Sequence, residues 1–237
     1  LQGPWNATAQ LMNDGMRMQG LVPTHEPYST NGYTYLDEGG SHTAGAGVLT
    51  ITGANAIVDW AILELRDPTD ATRIVCSRPV LVQRDGDVVD YDGGQAPRMA
   101  APTGNYFVAI KHRNHLGVMS AAPVAIANSM NTLDFSAPST LTWGSDARTL
   151  SGTKALLWSG DANGNSTVKY TGSGNDRDPI LQVIGGTTPN NTVPGYLRED
   201  CTLDGVVRYS GSGNDRDPIL SNVGSTTPNN SRTQQIP

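Results

Sequence analysis

The residues whose types and spacing could do chemistry lie in a stretch that the chain writes twice. Asp161, Asn163 and Asn165 stand at alternate positions, and 39 residues later Asp200, Thr202 and Asp204 stand in the same places. Oxygen-bearing side chains at alternate positions of a tight loop can all turn inward around a hard cation, which takes roughly six to eight oxygens. Behind each trio the copies match closely. Tyr170 to Leu181 returns as Tyr209 to Leu220 with only Thr171 against Ser210 changed, and the Thr-Thr-Pro-Asn-Asn of 187–191 returns at 226–230. A period of that size implies one supersecondary unit per copy, about 161–186 and 200–225.

Read as calcium loops, the copies have Ser166 and Gly205 where the chain must turn most sharply. Thr167 and Val206 follow, each offering a backbone carbonyl, and Val168 and Val207 are the apolar anchors. An EF-hand loop closes with a carboxylate at its twelfth position, but Gly172 and Gly211 stand there. The closing acid must come later, from Asp176 or Asp178 in the first copy and Asp215 or Asp217 in the second. Asp178-Pro179 and Asp217-Pro218 also read as helix starts, an Asp cap before a first-turn proline. A short helix through Ile184 should then end at Gly185-Gly186. Asp, Asn and Gly gather in ordinary turns too. Two copies in register favour Ca2+ at two sites per chain.

The Asp-x-Asn-x-Asn and Val-x-Tyr-x-Gly-x-x-Asn-Asp-x-Asp-x-Ile-Leu pattern resembles the dockerin-like (EF-hand-like) calcium repeats at the C-terminal ends of secreted bacterial surface proteins. The segments 11–17, 20–23, 56–67, 82–90 and 111–119 are similar to the β-rich module that precedes such repeats, and the ending Thr233–Pro237 is similar to the family's usual last residues. The resemblance implies an extracellular or cell-surface location and a modular architecture, and says little about activity.

The elements that must position these loops are β-strands. Charged residues make up only 16% and aromatics 6%, while 27 Gly and 15 Pro punctuate the chain; that is the make-up of short strands joined by turns. Ala56–Leu65 is apolar on both faces and belongs mid-sheet. Further strands are expected at Val48–Thr52, Arg73–Cys76, Pro79–Gln83, Asn105–His112 and Val118–Ile126, with Leu133–Phe135 closing the sheet. About seven such strands suggest a mainly β fold, an Ig- or transthyretin-like β-sandwich. The expected organisation is a lead-in at 1–28 with a short helical turn near Asn13–Gln19, a sandwich domain at 29–140, and the tandem repeats at 141–237 with an extended polar tail.

Other chemistry is sparse. His112-Arg-Asn-His115 invites a metal reading, but no third ligand is near in sequence, and a solvated hairpin is the expectation. Asp85, Asp87, Asp90 and Asp92 suggest a further cation site or a carboxylate pair, but Asp85-Gly86 and Asp92-Gly93 are expected as turn residues flanking a strand. Cys76 and Cys201 would need Cα atoms within about 7 Å to bridge; two free thiols is the alternative. Four Asn-x-Ser/Thr sequons occur, at Asn6, Asn165, Asn190 and Asn229. A net charge of −6 without a basic stripe argues against nucleic acid, and no apolar run approaches the ~20 residues of a membrane helix. The first residue is Leu, which suggests a processed secreted protein or a piece of a longer chain.

The reading that follows is a secreted, non-enzymatic, calcium-stabilised structural or adhesive protein. It would self-associate into an extracellular fibre or sheath, or anchor a partner at the cell surface. The alternatives are a carbohydrate- or protein-binding module with dockerin-like docking to a cohesin-like partner, for which Trp60, Tyr91 and Tyr106 would supply the aromatic platform, and a hydrolase.

Overall fold

The computed structural model describes residues 1–36, 42–93, 96–129 and 131–237, and the protein is mainly β with antiparallel pairing throughout. The lead-in forms a small ribbon, β1 (Trp5–Asn6) with β2 (Leu11–Met12), followed by the short helix α1 (Gly15–Met18). The main sheet comprises β3 (Ile57–Arg66), β4 (Ile74–Gln83), β5 (Val88–Asp90), β6 (Gly104–Lys111), β7 (Val118–Met119) and β8 (Val124–Ile126). Its order is β5-β4-β3-β6-β7, with β8 also paired to β6. A second ribbon joins β9 (Arg148–Ser151) to β10 (Lys154–Leu157).

The repeat region contributes β11 (Thr167–Lys169), α2 (Arg177–Val183), β12 (Thr192–Pro194), β13 (Val206–Arg208), α3 (Arg216–Asn222) and β14 (Ser231–Thr233). Its strands cross between copies. β12, after the first helix, pairs with β13 of the second loop, and β14, after the second helix, pairs with β11 of the first loop. Neither copy closes its own ribbon, so the two fold as one unit.

β3 holds the centre because both its faces are apolar: nine of its ten residues are buried, Leu63 being the half-buried exception. The sheet contributes Trp60, Ile62, Leu81 and Val82 to the principal core, which Met12, Met16 and Val22 of the lead-in complete. Leu65, Cys76, Tyr106 and Val108 form a smaller cluster. A separate core under the repeats joins Val168 and Ile180 of one copy to Val207 and Ile219 of the other, with Cys201 and Trp158. Cys76 and Cys201 are buried in these separate clusters and do not bridge each other.

Four expectations are corrected. Leu133–Phe135, expected to close the sheet, is not a strand. Val48–Thr50 is a single tight helical turn rather than a strand, bounded by Gly47 and Gly53 at φ 82° and 81°. The two segments expected on either side of residue 77 are one continuous strand, β4. The tail does not simply run along the surface: β14 pairs with β11, and Ile236 packs on the cluster of Phe107, Ala109 and Met119. Among the described residues no helix is long and apolar enough to cross a membrane.

Candidate calcium loops and the buried hub behind them

Each loop is organised by two buried carboxylates that accept backbone N–H groups. In the first, Asp161 Oδ1 accepts from Asn165 N at 2.9 Å and Oδ2 from Ser166 N at 3.0 Å. Asp176 Oδ1 accepts from Asn163 N at 3.2 Å, and its Oδ2 from Lys169 N at 2.7 Å. The second loop repeats this atom for atom. Asp200 accepts from Asp204 N and Gly205 N, and Asp215 from Thr202 N and Arg208 N, at 2.8–3.2 Å. Ser166 takes the left-handed conformation, φ 65°, that Gly205 takes at φ 90°, so the sharp turn forms in both copies despite the different residue.

The two candidate closing acids in each copy are placed differently. Asp176 and Asp215 are fully buried in the loops. The side chains of Asp178 and Asp217 are more than half exposed and belong to the helix starts. There Asn175 Oδ1 accepts from Asp178 N, and Asn175 Nδ2 donates to Asp178 Oδ2 at 2.8 Å; Asn214 and Asp217 do the same. Each helix therefore begins at Arg177 or Arg216, before the expected Asp178 and Asp217 caps. Asn163, Asn165, Thr202 and Asp204 remain on the loop rims; Asn163 Nδ2 donates to Gly174 O at 2.9 Å, and Thr202 Oγ1 lies 3.2 Å from both Asp200 Oδ1 and Asp215 Oδ1. Thr167 and Val206 open the short strands.

Charge is unbalanced here. Burial, helped by a neighbouring acid and only partly offset by the backbone N–H bonds, raises the Asp176 carboxyl to about 7 and Asp215 to about 8, and burial raises Asp161 and Asp200 as well. In the second loop Asp204 is paired with Arg208 at 2.5 Å. Among the described residues no three His, Cys, Asp or Glu side chains gather into a group that could hold a metal. The loops carry two carboxylates in the first (Asp161, Asp176) and three in the second (Asp200, Asp204, Asp215), with amide, hydroxyl and carbonyl oxygen beside them. All of these are hard oxygen donors, which suits calcium and not a soft metal.

The His112–His115 turn overturns the expectation of a solvated hairpin. All four residues are buried, with His115 at 1% and Asn114 at 0% exposure. The cause is Asp59, distant in sequence. Its Oδ2 accepts from His112 Nε2 at 3.1 Å and Arg113 Nε at 2.9 Å, its Oδ1 from Tyr196 Oη at 2.6 Å and Trp60 N at 2.8 Å. Burial would raise the Asp59 carboxyl, but the Arg113 charge and the His112 bond outweigh it and hold it at about 2. Burial pushes His112 and His115 down, so Arg113 carries the countercharge and the two rings are neutral. His115 Nε2 accepts from Gly3 N at 3.0 Å, which leaves its proton on Nδ1, facing Asn114 Oδ1 at 2.9 Å. The hub reaches the repeats through Arg113 NH1 to Leu197 O and through Asn114.

The other acids act locally. Asp85 caps its own turn, and buried Asp90 pairs with Arg78 at 3.0 Å. Comparison with known proteins found no matching family model, curated protein or solved structure.

Proposed function

We propose that the protein is a secreted, non-enzymatic structural or adhesive module whose repeat region is folded by two calcium ions. Asp161, Asn163, Asn165 and Asp176 with the Thr167 carbonyl would hold one ion, and Asp200, Thr202, Asp204 and Asp215 with the Val206 carbonyl the other. A bound ion would supply positive charge between the two buried carboxylates of each loop. The observation that carries this reading is the pair of buried carboxylates in each loop, held by backbone N–H groups, with burial and the neighbouring acid pushing one of them toward the protonated form in the absence of a bound ion. A buried acid without a compensating charge is destabilising, and the same arrangement occurs twice.

Within this reading the sheet is the body of an Ig- or transthyretin-like sandwich and the repeats are a dockerin-like unit, closed by the crossed strands. The module would self-associate into a fibre or sheath, or anchor a partner at the cell surface. Its open sheet edges offer strand-addition contacts. The glycan-binding alternative drew on Trp60, Tyr91 and Tyr106, of which Trp60 and Tyr106 are buried in the clusters around the sheet. Isothermal titration with calcium tests the reading. Two ions per chain, falling to one in Asp161→Asn and in Asp200→Asn, would support it, and no heat of binding with no bound metal would end it.

A further inference from the structure

We propose that Asn114, in the turn between β6 and β7, is a positioning residue shared by both calcium loops. The inference rests on the calcium reading and adds to it a single anchor outside the repeats. Asn114 is completely buried and uses different atoms for the two copies. Its backbone carbonyl accepts from Gly160 N at 3.0 Å and Asp161 N at 3.1 Å, at the entry to the first loop. Its Nδ2 donates to Asp200 O at 2.7 Å and Arg198 O at 2.8 Å, at the entry to the second. Asp161 and Asp200 are equivalent residues, the first side-chain oxygen of each loop. One residue of the sheet's turn therefore sets where both loops begin.

The rest of the hub fixes the orientation of that residue. The Nδ1 proton of His115 lies between Asn114 Oδ1 at 2.9 Å and His112 Nδ1 at 3.1 Å, so Oδ1 of Asn114 faces the histidine and Nδ2 faces Asp200 and Arg198. His112 and Arg113, on the preceding positions, are tied to Asp59 of β3. A rigid sheet strand thus holds the turn, and the turn holds the starts of both loops. Groups that orient metal ligands in this way typically alter affinity by about 10–100-fold when removed. Asn114→Asp keeps the shape but replaces both N–H donors with oxygen beside the Asp200 carbonyl. Released from Asp200, the turn shifts, and with it the backbone carbonyl that holds the entry to the first loop.

The test is calcium titration of Asn114→Asp, repeated in Asp161→Asn and Asp200→Asn backgrounds so that each remaining site is read alone. The expected result is a fall of about 10–100-fold at the second site and a smaller fall at the first. Leu65→Ala, which opens a cavity in a different cluster, should lower the melting temperature and leave both affinities unchanged, separating positioning from general weakening. An unchanged second site, or a fall confined to one site, would overturn the shared anchor. Absence of calcium binding by the unsubstituted protein would instead remove the calcium reading itself. If Asn114→Asp does not fold, the carboxamide resonances of Asn114 in the unsubstituted protein serve. They should shift as each ion binds, and resonances unmoved by calcium would refute the proposal.

Discussion

Replacing Asp59 with Asn probes the hub with almost no change of volume. The carboxylate is fully buried, accepts from Trp60 N, Tyr196 Oη, His112 Nε2 and Arg113 Nε, and faces a guanidinium whose side chain is only 4% exposed. An amide has one acceptor oxygen for these four donors. More costly still, it leaves the Arg113 charge buried without its partner. Breaking a buried pair by removing one member typically costs about 3–5 kcal/mol. In a chain of this size each kcal/mol moves the melting temperature by about 2–4 °C, so Asp59→Asn should melt about 6–20 °C lower. The assay is thermal unfolding in saturating calcium, followed by circular dichroism. A second variant isolates the cause: Asp59→Leu with Arg113→Met removes both charges and should be less destabilised than the sum of the two single changes. A loss below about 1 kcal/mol in Asp59→Asn would refute the argument that this ion pair holds the turn.

Three further expectations concern separate parts of the molecule. His112 and His115 are held neutral, with folded pKa values below the ordinary 6.5. Their contribution is fully present above pH ~6.5 and is lost as pH falls below it. His115→Gln, which can still accept from Gly3 N, should therefore flatten the decline in melting temperature between pH 7 and pH 5; an unchanged slope would contradict the assignment. Asp178→Ala and Asp217→Ala, each removing a first-turn acid, should weaken a helix start by about 0.3–1 kcal/mol yet leave calcium stoichiometry at two, whereas Asp176→Asn should lower it to one. A lost ion in Asp178→Ala would reassign the closing acid. Finally, Thr171 Oγ1 donates to Pro228 O or Asn229 Oδ1 at 3.0 and 2.8 Å, and Ser210 Oγ reaches Pro189 O and Asn190 Oδ1 at 2.8 Å each. Thr171→Val with Ser210→Ala should cost about 1 kcal/mol per copy in urea unfolding, and an unaltered midpoint would show that these clasps contribute nothing.

What sequence could reveal here was local or repeated. The alternation of Asp161, Asn163 and Asn165, the apolar β3, the small α1 and the glycines that end α2 all follow from composition within a few residues. The helix starts were displaced because Asp-Pro is a strong local signal, yet the cap is decided by Asn175 and Asn214, whose side chains reach the Asp178 and Asp217 amides. Val48–Thr50 has strand-forming residues, but bordering glycines in the left-handed region turn the chain before any strand can run. The hub was hidden for a different reason. Nothing near His112 or Arg113 indicates that Asp59, over 50 residues earlier, will be their partner. The crossed pairing of β11 with β14 and β12 with β13 is equally non-local; identical repeats predict two units and cannot say that each completes the other.

The most direct test of the central claim is thermal unfolding in excess calcium and in EGTA, with bound metal counted in the same sample. A ligand at about 100 times its dissociation constant adds about 2.7 kcal/mol per site. The account predicts two calcium ions per chain and a melting temperature that falls by many degrees on chelation. A chain that carries no calcium and melts at the same temperature in both conditions would contradict it.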